Sequence, residues 1–151
     1  MTVHLDHLLI PSRNKEAAAC KLAAILGVPW APAKVGPFMA VHVNDGLTID
    51  FDDWTEALPV GHYCFRVTEP EFRAVQARLS ASGTPYRSLP HGPDDHQVNT
   101  SLGSLIVYWR EPDGHVWELL TERYARAPGQ GQSASTSRRP GPDETNRPHP
   151  A

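Results

Sequence analysis

Two stretches of this chain match each other and bring an acidic side chain to the same point. Asp45-Gly46-Leu47-Thr48-Ile49-Asp50-Phe51 aligns with Asp113-Gly114-His115-Val116-Trp117-Glu118-Leu119, so Asp50 and Glu118 hold equivalent positions. Upstream of each lies an apolar segment headed by one histidine: Asp6-His7-Leu8-Leu9-Ile10 in the first half, Gly61-His62-Tyr63-Cys64-Phe65 in the second. Each half therefore supplies an imidazole and a carboxylate, a donor set that suits a divalent metal and leaves positions open for substrate.

The match extends beyond these residues. His7 and His62 are 55 residues apart, Gly27 and Gly83 are 56 apart, and Asp50 and Glu118 are 68 apart. The extra 12 residues fall between Gly83 and Glu118, where Leu89-Pro90-His91-Gly92-Pro93-Asp94-Asp95-His96 reads as an inserted loop. A period of this size marks a duplicated supersecondary unit.

The elements that must position these side chains follow the same order twice. Residues 3–10 are aliphatic with polar residues alternating, a strand expected to turn at Pro11. Ser12 is placed to cap a helix that runs to Leu26, with Ala18, Leu22, Ile25 and Leu26 on its apolar stripe and Gly27 as its stop. Short strands are predicted around Trp30, over 38–43 and over 47–51, the last two joined through Asn44-Asp45-Gly46, a strong hairpin sequence. The second half opens with a strand over 62–67. Thr68-Glu69-Pro70-Glu71 then forms a capping box with proline in the first turn. Phe72, Val75 and Leu79 make the buried face of that helix, Gly83 ends it, and strands follow near Tyr86, over 102–110 and over 115–121. Both halves read β-α-β-β-β, in modules of about 1–54 and 60–124.

Composition sets the outer bounds. The chain of 151 residues fits one domain or two small modules sharing a core, and its net charge of −3 argues against a nucleic-acid partner. No apolar run approaches the roughly 20 residues of a membrane span, and the first residues enter a strand pattern without a basic and apolar leader, so a cytoplasmic location is expected. Cys20 and Cys64 read as unpaired thiols used for packing. Residues 125–151 hold five prolines and three glycines without any aromatic or large aliphatic side chain, a composition that predicts a disordered tail. Its four arginines against Asp143 and Glu144 leave −5 on residues 1–124.

Paired β-α-β-β-β modules with these residues in these strands resemble the vicinal oxygen chelate superfamily, which includes glyoxalase I, extradiol dioxygenases, and fosfomycin- and bleomycin-resistance proteins. The residues that carry the resemblance are Leu5-Asp6-His7-Leu8-Leu9, Gly61-His62, and Tyr108-Trp109-Arg110-Glu111-Pro112-Asp113-Gly114-His115-Val116-Trp117-Glu118-Leu119. The resemblance covers about 1–122 and implies an α+β fold whose two modules form a curved mixed sheet around a cleft. It also implies that His7, His62 and Glu118 bind one divalent ion, with Fe, Mn, Zn and Ni all compatible. Single chains of this size in the family commonly form homodimers, and exchange of modules between chains would join His7 of one subunit to His62 and Glu118 of the other.

Other residues take their expected roles from strand alternation and from the same resemblance. If His62 faces the cleft, Cys64 and Arg66 do so too, and Arg66 can meet an anionic substrate. Glu118 then shares its face with Val116 and Leu120, while Trp117 and Leu119 pack under the helices. Tyr108 stands ten residues before Glu118, where extradiol dioxygenases carry a substrate-contacting tyrosine. His96 is the candidate for their additional acid/base histidine. Asp50 is one methylene shorter than the glutamate of glyoxalase-type members and reads as a water-mediated or backbone-binding neighbour. His4, His42 and His115 read as structural.

The functional expectation is a metal-dependent enzyme that holds a small molecule through neighbouring oxygens, with Glu118, Tyr108 and His96 as catalytic candidates and Arg66 and Tyr108 as substrate contacts. Lyase or isomerase, dioxygenase and thiol-transfer chemistries remain equally open. The alternative is a metal-free sequestering protein of the bleomycin-resistance kind.

Overall fold

The structure, a computed structural model, describes residues 2–123; the expected tail lies outside the described residues. The first half folds as β1 (His7–Ser12), α1 (Lys15–Leu26), β2 (Trp30–Pro32), β3 (Met39–Asn44) and β4 (Leu47–Asp53). The second folds as β5 (His62–Arg66), α2 (Glu69–Ala81), β6 (Tyr86–Arg87), β7 (Ile106–Arg110) and β8 (Val116–Leu120). The β-α-β-β-β order thus occurs twice and the chain is α+β. Each module builds a four-stranded mixed sheet, ordered β1-β4-β3-β2 and β5-β8-β7-β6. In both, the first and last strands pair in parallel and the other neighbours are antiparallel. The sheets stay separate and open within one chain.

Alternation divides each sheet into two faces. Ile10, Val41, Ile49 and Phe51 of the first sheet, and Val107, Trp109, Trp117 and Leu119 of the second, join Leu22, Ile25, Phe72, Val75 and Leu79 of the helices in one buried core. Phe65 stacks on Trp117 at 5.6 Å between ring centroids, and Tyr63 lies against the same indole at 4.9 Å. The two modules therefore share a core. The opposite faces carry the polar side chains discussed below.

Three boundaries differ from expectation, each for a physical reason. β1 begins at His7 and runs through Pro11 to Ser12, leaving Val3 and Leu5 exposed. β1 is an edge strand, where a missing N–H costs least. The helix N-cap is Asn14, whose side chain accepts from Ala17 N, because Ser12 is committed elsewhere: its Oγ donates to Asp113 at 2.6 Å. β7 begins at Ile106, after a turn of 3-10 helix at Ser101–Gly103 and the buried Ser104, whose Oγ accepts from Thr121 N and Glu122 N. The buried face of α1 is Ala19, Leu22, Ala23 and Ile25, with Ala18 and Leu26 of the expected stripe only partly buried, whereas in α2 the reading holds: the Thr68–Glu71 capping box forms, and Phe72, Val75 and Leu79 are the buried face.

The turn Glu111-Pro112-Asp113-Gly114-His115 joins β7 to β8 and also joins the modules. Glu111 accepts from Asp113 N and His115 N, which fixes the turn. Asp113 accepts from Ser12 Oγ and Arg13 N, and His115 bonds Pro11 O at 2.9 Å. On the helix side Arg78 donates to Leu26 O, and its guanidinium fills the space a Cβ at Gly27 would need, at a residue whose φ is +76°.

Two measurements check this packing. Leu79→Ala should cost about 2–5 kcal/mol of unfolding free energy in urea titration, the range for a fully buried leucine. The Glu71 carboxylate accepts from Thr68 Oγ and Thr68 N, which holds its pKa below the ordinary glutamate value. That stabilisation is present above the unfolded-state pKa and is lost as pH falls through the depressed one. Glu71→Gln should therefore flatten part of the loss of stability below about pH 4.

Candidate metal and substrate site

The second module assembles most of the expected site on the face of its sheet turned from the helices. β5 lies parallel to β8 with Cys64 opposite Glu118, and β7 lies antiparallel to β8 with Tyr108 opposite Glu118. On the far side, Arg87 of β6 stands opposite Tyr108. A cross-strand row Arg87-Tyr108-Glu118-Cys64 results. His62, two residues before Cys64, reaches over so that its Nε2 lies 2.9 Å from Glu118 Oε2, and its ring meets the Tyr108 ring edge to face at 6.1 Å.

Burial makes this pair consequential. The Glu118 side chain is 5% exposed and that of His62 is 48% exposed, so a desolvated carboxylate holds an imidazole that faces solvent. A buried carboxylate is stabilised only by donors or cations at its oxygens. Glu118 thus orients His62, and the two atoms 2.9 Å apart are both metal-ligand types. Ile106, Tyr108, Val116 and Leu120 form a separate apolar cluster on the same face.

The first module repeats the arrangement in its own sheet. Leu9 of β1 stands opposite Asp50 of β4, and His7 precedes Leu9 by two residues, as His62 precedes Cys64. His7 is exposed and its Nδ1 lies 2.9 Å from Asp6 Oδ2. The hydrogen bond to Asp6 raises the His7 pKa, with burial opposing and the Asp50 charge adding to the rise. The neighbours differ between modules: Ala40 stands opposite Asp50 where Tyr108 stands opposite Glu118, and Leu9 takes the place of Cys64. In the second copy the carboxylate is surrounded by a thiol, a phenol and an imidazole instead.

One chain brings His62, Glu118 and Tyr108 together and does not bring His7 to them. Among the described residues no group of three or more His, Cys, Asp or Glu side chains is placed to hold a metal ion. Arg66 shares the face of His62 and Cys64 but lies at the far end of β5, roughly 13 Å along the strand from His62. His96 adopts a left-handed φ of 53°, its N–H donates to Tyr86 O, and its ring packs edge on against Tyr86 at 5.0 Å. Tyr86 belongs to the helix-side core, so His96 does not stand beside Tyr108 or Glu118. The neighbouring loop carboxylates tie their own segment: Asp95 accepts from Ser88 and Gln97, and Asp94 pairs with Arg87 at 3.4 Å.

Sequence reasoning passed over Arg87 and misjudged the packing of Cys64. Arg87 sits in the row with Tyr108, its buried Nε facing Asp94 Oδ1 at 3.4 Å as an ion pair without hydrogen-bond geometry, while its Nη1 donates to Gly92 O. Its position follows only from strand register, which the short β6 does not reveal. Cys64 was expected to be a buried apolar filler, yet both cysteines are exposed. Its burial-free appearance is deceptive, since partial desolvation and the adjacent Glu118 carboxylate push the thiol up to about 12.

Against known proteins, no family model matches the sequence and no curated protein matches it either. Solved structures do. "Oxidase ChaP-H2" is 34% identical, with 82% of this chain and 97% of that chain covered at a TM-score of 0.76. The fosfomycin resistance protein FosX from Mesorhizobium loti is 15% identical, with 82% and 96% covered at a TM-score of 0.61. Lactoylglutathione lyase from Agrobacterium tumefaciens is 16% identical, with 80% and 94% covered at 0.60. The last two share the fold alone.

The raised thiol gives a direct check. Cys64 should resist iodoacetamide at neutral pH relative to Cys20, as read by peptide mass spectrometry. Glu118→Gln, which removes the adjacent charge, should speed its alkylation several-fold.

Proposed function

Since the chain belongs to the vicinal oxygen chelate superfamily, we propose that it is a divalent-metal-dependent enzyme of the glyoxalase/dioxygenase-like class, acting on a small oxygen-rich molecule. The observation that carries this reading is the duplicated placement of imidazole and carboxylate, His7 with Asp50 and His62 with Glu118, at the same register of parallel strand pairs. The donor set fits the ion: His62 Nε2 and Glu118 Oε2 are 2.9 Å apart, and a bound cation would take the place of the proton they share. His7 from a second copy of the chain would complete the set, in a homodimer with two equal sites.

Bound there, the ion would supply Lewis acidity and, as Fe(II), oxygen chemistry. The protein's own side chains define the rest. Glu118, held in a buried position between Tyr108 and Cys64, orients His62 at the floor of the site. Tyr108 fixes the plane of the His62 ring and walls the substrate side. Ile106, Val116 and Leu120 pack with Tyr108 in a buried apolar cluster that keeps water from this part of the sheet, and Arg66 meets an anionic group at its remote end. His96 would act as acid or base only if its segment left Tyr86. A relative 34% identical over nearly its whole length is named an oxidase, which favours the oxygen-dependent branch over isomerisation.

Elemental analysis of metal-loaded protein should find one divalent ion per chain, and His62→Ala, Glu118→Ala and His7→Ala should each weaken binding at least about tenfold. Absence of stoichiometric metal in the wild type would replace this reading with the sequestering one. Mixing the His7→Ala and His62→Ala chains separates the two assemblies. With sites shared between chains, statistical heterodimers regain about a quarter of the sites; with sites inside one chain, none return. Anaerobic Fe(II) reconstitution followed by oxygen uptake on catechols, set against a hemithioacetal assay, then decides the branch.

A further inference from the structure

The hairpin turn of the second module carries a buried histidine that the metal and substrate groups leave unused. We propose that His115 is a positioning residue: it fixes the angle between β1 and β5, the two edge strands that carry His7 and His62, and so determines whether the imidazoles of paired chains can converge. This rests on the metal-site reading above.

The geometry is specific. His115 is 0% exposed and lies between the modules. Gly61 N–H donates to its Nδ1 at 2.9 Å, and a backbone amide can only donate, so Nδ1 carries no proton. Nε2 is then the protonated nitrogen and donates to Pro11 O at 2.9 Å. One rigid ring therefore spans from the end of β1 to the residue immediately before His62. Its remaining surroundings keep it there: Glu111 accepts from His115 N, and the Tyr63 ring lies edge on at 5.9 Å. Gly61 has no room for a side chain, because a Cβ would strike the Tyr63 hydroxyl.

The first module sharpens the inference by lacking this device. The repeat puts Leu47 where His115 stands, and both turns share the same flanking bond, Thr48 N to Asp6 O and Val116 N to Gly61 O. The hairpin is thus made without a histidine. What His115 adds is a polar bridge across the module boundary, beside the Asp113 bonds to Ser12 and Arg13. Hydrogen-bond partners of metal ligands typically change metal affinity roughly 10–100-fold when removed, and His115 acts one step further out, through the backbone of the ligand-bearing strands.

The test compares His115→Phe, which keeps a flat ring and removes both bonds, with His115→Gln, whose amide can accept from Gly61 and donate to Pro11. Thr68→Ala, which removes the α2 cap at an exposed position, serves as a destabilised control away from the boundary. Residual dipolar couplings of backbone amides report the relative orientation of the modules, and Co(II) titration followed by absorbance reports the site. The expected result is that His115→Phe keeps the couplings within each module, changes those relating the modules, and weakens Co(II) binding about tenfold or more. His115→Gln should recover much of both, and Thr68→Ala should alter neither.

An unchanged module orientation in His115→Phe overturns the proposal, as does a Co(II) affinity that falls equally in Thr68→Ala. Should His115→Phe not fold, the wild-type imidazole spectrum decides: a proton on Nε2 with protected Gly61 exchange supports the bridge, and a proton on Nδ1 refutes it. If wild-type protein takes up no Co(II), the metal reading fails separately, while the orientation measurement still judges His115.

Discussion

Parallel pairing between the first and last strands of each module is the constraint on which everything else in this protein depends. Such a pair needs a long crossover, and here the helix and two antiparallel strands supply it. Its consequence is chemical. The pairing sets Leu9 against Asp50 and Cys64 against Glu118, which brings residues more than 40 positions apart in sequence into adjacent rows. In the second module a histidine two residues earlier on the edge strand, His62, then leans toward the carboxylate from the same face. Slipping either pair by one residue would send the carboxylate to the helix side, where Trp117, Leu119, Ile49 and Phe51 are packed. The apolar core thereby enforces the register that the polar face requires.

The two copies of this frame have diverged in what surrounds it. Glu118 lies among Tyr108, Cys64 and His62 with almost no exposure, while Asp50 faces Ala40 and Leu9 and the His7 ring turns to Asp6. A buried carboxylate between an imidazole and a phenol is a different instrument from a half-exposed one beside aliphatic groups. The turn sequences diverge in parallel, with His115 bridging the modules where Leu47 has no polar atom to offer. Symmetry of the backbone and asymmetry of the side chains together give one elaborated cluster around Glu118 and one sparse cluster around Asp50 in each chain.

Much of this was legible in the chain itself. Period-two alternation told which side of β5 and β8 each residue would occupy, and Tyr63, Phe65, Trp117 and Leu119 do lie toward the helices. Capping chemistry located α2, since Thr68 and Glu71 act on their own backbone within three residues. The Ser12 assignment failed for the opposite reason. Its hydroxyl is claimed by Asp113, 101 residues away, so the local capping rule lost to a bond that no local pattern encodes. Pro11 was read as a strand end because proline withholds a donor, but an edge strand does not need that donor.

The sequence by itself determined the duplicated module, the faces of its strands and the residue types that meet on them, because periodicity and capping are properties of short segments. Only the tertiary structure decided which of those residues meet. It set His62 on Glu118 and His7 on Asp6, packed His96 on Tyr86, and made His115 a bridge from Pro11 to Gly61. The reason is physical: a polar side chain bonds to whatever partner the folded chain brings within about 3 Å, and that partner is chosen by how the two modules share their core.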